Sequence, residues 1–120
     1  MMPWIQTHTG RQFWPLSPRP EDICIDDIAH ALARQCRFAG HTRSFYSVAE
    51  HSIRVARIVP SEDRIWALLH DASEAYLVDL PSPLKRHPSF AAYREAEVRL
   101  MRVICERFGL PTEEPPSVRL

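Results

Sequence analysis

The chain has 120 residues, and its fifteen lysines and arginines are balanced by fifteen aspartates and glutamates. That length suits a single domain, and the balanced charge excludes the basic footprint of a non-specific nucleic-acid binder. Cys24, Cys36 and Cys105 form no C-x-x-C pair, which argues against a disulfide framework and a thiolate zinc knuckle. With no apolar run of about 18 residues and no signal pattern, the expected location is a reducing cytoplasm, away from membranes.

Residues 1–21 combine Pro3, Pro15, Pro18 and Pro20 with Trp4, Phe13 and Trp14. Proline at that density blocks helix and central strand, and large aromatics seek burial, so an extended arm packed across the domain is predicted. Within it, Thr9-Gly10-Arg11 reads either as an anion-binding turn or as an ordinary one. Asp26 can cap a helix through Cys36, with Ile28, Ala29, Leu32, Ala33 and Cys36 on the buried face and His30 off it. Arg37 to Tyr46 is a polar connection whose Arg37, His41 and Arg43, close to Gly40, can hold a phosphate. Ser47-Val48-Ala49-Glu50 is a capping box. It opens a helix to about Val59 that buries Val48, Ser52, Val55, Ala56 and Val59, with His51 leaning toward the core. Pro60-Ser61 ends this helix and caps the next, where Glu62 and Asp63 suit the first turn.

Ile65, Leu68, Leu69, Ala72 and Tyr76 give that next helix a buried stripe. It also carries His70, Asp71 and Glu74, with Asp79 just beyond. His70 and Glu74 are one helical turn apart, as are Asp71 and Glu74, so their head groups can converge. Leaving such charge buried and unpaired costs roughly several kcal/mol, and a metal ion is the economical explanation. Leu80-Pro81-Ser82-Pro83-Leu84-Lys85 must leave the helix, because its prolines forbid continuation. Ser89 is predicted to cap a long helix to Phe108, with Phe90, Tyr93, Glu97, Leu100, Met101, Ile104 and Phe108 on one stripe and Gly109 past the end. Pro111 to Pro116 is a linker, and Ser117-Val118-Arg119-Leu120 reads as the first turn of a helix cut off as it begins. No stretch shows strand alternation. The expected fold is all-α, about five helices in one domain: an arm over 1–21, a helical core over 22–110, and a linker with a truncated helix over 111–120.

Two histidines and a carboxylate from neighbouring helices suit zinc, cobalt, manganese or iron; magnesium prefers oxygen ligands. A coordination position left open admits a water whose pKa falls toward ~7 in the zinc case. Glu74 is placed for general acid/base work and Asp79 for orienting a water or leaving group. The spacing alone equally admits a structural metal or a buried polar network.

Val48-Ala49-Glu50-His51-Ser52, then His70-Asp71-Ala72-Ser73-Glu74, then Asp79-Leu80-Pro81-Ser82-Pro83-Leu84-Lys85 resembles the HD-domain phosphohydrolases. The likeness is strongest to the 5′-deoxynucleotidase-like branch and to phage deoxynucleotide triphosphohydrolases, and Thr9-Gly10-Arg11-Gln12-Phe13-Trp14-Pro15 is similar to the arm of phage and prophage members. The resemblance implies a helical HD fold and a divalent metal held by His51, His70 and Asp71. It assigns Glu74 and Asp79 to catalysis, and Arg37 and Phe38 to substrate contact, with His41 and Lys85 as further phosphate holders. The implied activity is hydrolysis of a deoxynucleotide mono- or triphosphate, in a chain that can form a homodimer or higher oligomer. One departure stands out: the family places a further metal-binding aspartate well after the HD pair, and this chain has no aspartate beyond Asp79. An inactive or truncated HD module that binds a nucleotide or partner is therefore the alternative expectation.

Overall fold

In the computed structural model, which describes residues 2–119, the N-terminal arm folds into a small antiparallel hairpin. Its strands are β1 (Ile5–Gln6) and β2 (Gln12–Phe13), with Ile5 opposite Phe13 and Gln6 opposite Gln12. The sequence gives no warning of strands here, because two-residue strands are too short to display alternation. Thr9-Gly10-Arg11 is an ordinary turn: the Gly10 N–H donates to Thr7 O at 2.9 Å, and Gly10 takes φ 87°. Phe13 is fully buried and stacks on Tyr76 at 4.0 Å between ring centroids, anchoring the hairpin to the core.

A 3₁₀ turn at Pro20–Asp22 leads into α1 (Ile25–Ala33). Asp26 does not cap this helix; Cys24 occupies the cap position, and the buried acid is Asp27. Its carboxylate accepts from the Thr9 N–H at 2.8 Å and the Thr9 hydroxyl at 3.1 Å, which ties the hairpin turn to α1. The helix stops at Ala33 rather than Cys36 because the chain then pairs with residues 46–48, the Val48 N–H donating to Gln35 O and the Arg37 N–H to Tyr46 O. Ile28 and Leu32 are buried as expected, while Ala29 and Ala33 are exposed.

α2 (Val48–Ile58) begins where the capping box predicts, the Ser47 hydroxyl accepting from the Glu50 N–H at 3.0 Å. Ser47→Ala should therefore lower unfolding free energy by about 1 kcal/mol, measured by urea denaturation. A 3₁₀ turn at Ser61–Asp63 connects to α3 (Arg64–Leu69), which packs back on α2. The chain then passes through α4 (Glu74–Leu77), α5 (Ser82–Lys85), a 3₁₀ turn at Pro88–Phe90, α6 (Ala91–Phe108) and α7 (Pro116–Arg119). Ser89 does not cap α6; its N–H donates to His87 Nδ1 at 3.0 Å, and the helix starts two residues later. Gly109 closes α6 at φ 67°, where the left-handed backbone lets the Leu110 N–H reach Cys105 O at 2.8 Å. Leu120, part of the expected last turn, lies outside the described residues.

The structure is mostly helical around two adjoining cores. One joins Phe13, Ile28, Leu32 and Val48 to Leu69, Tyr76, Leu100 and Ile104; the other joins Ala56 and Trp66 to Cys105 and Val118. The Trp66 indole N–H donates to Pro111 O at 2.7 Å, and the Ser117 hydroxyl lies 2.6 Å from Asp63, so the proline-rich linker and α7 are held against α3. Among the described residues no helix is long and apolar enough to cross a membrane.

Candidate metal centre

The sequence predicts one continuous helix from the early sixties to Tyr76, and the structure breaks it. α3 ends at Leu69, and residues 70–76 follow with 3₁₀-type hydrogen bonds: Ala72 N–H to Leu69 O, Glu74 N–H to Asp71 O, Tyr76 N–H to Ser73 O. Three residues per turn place Asp71 and Glu74 one above the other. The buried face also differs from the predicted stripe. Ile65 and Leu68 turn outward, and Trp66, Ala67 and Ser73 are buried in addition to Leu69, Ala72 and Tyr76.

His51 comes from the first turn of α2, and His70 and Asp71 follow directly on α3. The packing of these two helices brings the three together. His70 Nε2 is 3.1 Å and His51 Nε2 3.5 Å from Asp71 Oδ2, and one ligand atom from each residue lies within 4.8 Å of the others. Two ligands sharing one ion at bonds of about 2.1 Å sit roughly 3–3.5 Å apart in a tetrahedral shell, so the donor set fits a divalent ion. A further detail agrees. His70 Nδ1 lies 2.6 Å from Ala67 O; donation of its proton to that carbonyl leaves the Nε2 lone pair facing His51 and Asp71. Among the described residues this is the cluster that could hold a metal ion.

Glu74 is only 5 % exposed. Burial pushes its carboxyl well above the usual carboxylate range, and the neighbouring charge and hydrogen bonding of Asp71 and then Asp79 push it the same way. Burial also opposes ionisation of Asp71, but the hydrogen bond and charge of His70 outweigh it and hold that carboxyl low. For His51, burial and then the charge of Arg37 lower the pKa. For His70, burial acts in the lowering direction but is outweighed by the hydrogen bond and charge of Asp71. Three carboxyl groups thus crowd a half-buried site beside two histidines, the electrostatic setting that a divalent cation relieves.

All nine sequence-predicted site residues line one cavity of about 970 Å³. His51, His70, Asp71, Glu74 and Asp79 form one part of its wall, and Arg37, Phe38, His41 and Lys85 contribute the rest of the predicted set. The Arg37 guanidinium lies over the rings of Phe38 (4.7 Å) and Tyr46 (5.5 Å), which fixes its direction at the rim. Phe38 and Ala39 both take positive φ, 58° and 53°, and Phe38 is left 56 % exposed. Lys85 is less free than the sequence suggests, since its Nζ lies 3.0 Å from Glu97. Arg43, a phosphate candidate by sequence, is not part of the lining. Two cations that the sequence reading missed are part of it: Arg86, whose only signal was adjacency to Lys85, and Arg119 from α7, which had none.

No family model matches the chain. It is 44% identical over 110 residues to the uncharacterized protein YfdR of Escherichia coli (strain K12), a match covering 92% of this chain and 61% of the relative. It is also 41% identical over 125 residues to an uncharacterized protein of Rhodobacter capsulatus, covering 97% of this chain and 63% of that relative. The chain thus spans about three-fifths of the length of the curated relatives that it matches.

Proposed function

We propose that this protein is an HD-type, metal-dependent phosphohydrolase acting on deoxynucleotides, either mono- or triphosphates. The observation that carries the reading is the convergence of a His51–His70–Asp71 ligand set with Glu74 and Asp79 on a cavity also lined by Arg37, Arg86 and Lys85. A volume of about 970 Å³ accommodates a nucleotide. His51, His70 and Asp71 would hold the ion, with zinc, cobalt, manganese or iron favoured over magnesium by the two nitrogen donors.

A bound divalent ion supplies Lewis acidity and lowers the pKa of water in its shell. The chain's own groups do the remaining work. In the hydrolysis a water oxygen bonds to phosphorus as the P–O bond to the leaving oxygen breaks. One proton leaves the water, and one is gained by the leaving group. Glu74, one turn from Asp71, is the carboxyl assigned to that transfer, with Asp79 orienting the water or leaving oxygen. Arg37 and Arg86 counter the phosphate charge, and the exposed Phe38 ring offers a face for the base. The three free cysteines are compatible with a reducing cytoplasm, where the chain is proposed to act on small nucleotides, not polymers, as a homodimer or higher homo-oligomer.

A second reading is a module that binds a nucleotide or partner without hydrolysing it. What favours it is the ligand count: among the described residues the cluster offers three side chains. Incubation with dAMP and with dATP in the presence of Co²⁺ or Mn²⁺, followed by ³¹P NMR, separates the two. Inorganic phosphate from dAMP, or intact triphosphate from dATP, is the expected result and names the substrate class. Nucleotide binding with neither product would establish the second reading instead.

A further inference from the structure

Between Glu74 and Asp79 the chain leaves α4, and it does so through Val78 at φ 72°, ψ 156°. That region is nearly reserved for glycine, and a β-branched residue held there is strained. The Val78 side chain is 55 % exposed, so its own burial does not offset the strain. Hydrogen bonds to the flanking peptides do. The Gln35 amide nitrogen donates to Glu74 O at 2.8 Å, and its amide oxygen accepts from the Asp79 N–H at 3.1 Å. The Tyr93 hydroxyl donates to Val78 O, and the Val78 N–H donates to Glu74 O at 3.0 Å.

We infer that Gln35 and Tyr93 are positioning residues, a clasp that holds the left-handed Val78 peptide so that Glu74 and Asp79 stay side by side on the cavity wall. Neither residue lines the cavity; both act through the 74–79 turn. The chemistry at position 35 is specific. A carbonyl must receive a donor while a nearby N–H must meet an acceptor, and a carboxamide supplies both from one side chain. A carboxylate there would set a second oxygen against Glu74 O. Gln35 is itself anchored, because its backbone oxygen accepts from the Val48 N–H at 2.9 Å at the start of α2, the helix that carries His51. One residue thus couples the histidine helix to the acidic turn. The catalytic consequence rests on the phosphohydrolase reading of Glu74 and Asp79; the structural one does not.

The test uses the full chain and the variants Gln35→Met, Gln35→Met/Val78→Gly and Tyr93→Phe, with three readouts: amide hydrogen exchange at Asp79, metal stoichiometry, and kcat with KM. Gln35→Met should speed Asp79 exchange at least about tenfold, since it removes the acceptor of that N–H. It should lower kcat by about tenfold or more while KM and metal content hold, because small misplacements of reacting groups are costly. Adding Val78→Gly, which adopts φ 72° without strain, should restore part of the lost kcat. Tyr93→Phe removes one hydroxyl, keeps the ring in place, and should shift exchange in the same direction. Wild-type exchange at Asp79 in both Gln35→Met and Tyr93→Phe would overturn the clasp. If the parent chain hydrolyses no nucleotide, the functional reading fails, and the exchange measurements still decide the clasp.

Discussion

Replacing Glu74 by glutamine should leave the metal bound, reduce turnover by about 10²-fold or more, and raise the melting temperature of the metal-free chain. The loss of rate is the usual size of a general acid/base contribution, because an amide of the same shape cannot exchange the proton. The gain in stability follows from the surroundings. Glu74 is buried against Asp71 and Asp79, whose charges disfavour a third carboxylate, so its carboxyl must take up a proton to fold there, a cost that a neutral amide of the same shape does not carry. Activity and stability then move in opposite directions, as they do where a destabilising group is kept for its chemistry. Steady-state kinetics, metal analysis and a thermal melt on one variant check all three parts. Wild-type turnover would remove Glu74 from the mechanism, and a lowered melting temperature would contradict the account of its crowded site.

His70→Ala and Asp71→Ala should each abolish stoichiometric metal binding, while His41→Ala should retain it. His70 is the ligand whose direction is most constrained, held from behind by Ala67 O and facing Asp71 at 3.1 Å. Asp71 is the common neighbour of both histidines, so its loss removes a donor and separates the remaining two. His41 lines the cavity but stands outside the ligand cluster, so it controls for general damage to the site. Metal content after dialysis reads all three, and stoichiometric metal in His70→Ala or Asp71→Ala would overturn the ligand assignment.

Legibility differs sharply from residue to residue. The start of α2 was readable because capping is local: Ser47 and Glu50 meet within one turn wherever that helix packs. His51, His70 and Asp71 were readable as a group because two helices with matching patterns each offered ligands. The break after Leu69 was not readable, since the same residues satisfy a longer helix equally well and only the packed backbone selects the tighter turn. The hairpin escaped notice because its strands are two residues long. Asp27 and Gln35 are the clearest losses. A buried aspartate bound to a turn 18 residues away, and an amide bridging peptides 39 and 44 residues away, leave no periodic trace. Ser89 shows the reverse error: an acceptable cap by type, it was pre-empted by the His87 ring two residues earlier.

The most direct test of the central claim is a titration of the metal-free chain with Co²⁺, following ion binding and nucleotide hydrolysis in the same samples. Hydrolysis should rise with bound cobalt, level off at one ion per chain, and vanish on chelation. Hydrolysis that persists at full rate in excess chelator, or saturating cobalt that finds no site on the chain, would contradict a metal centre built from His51, His70 and Asp71.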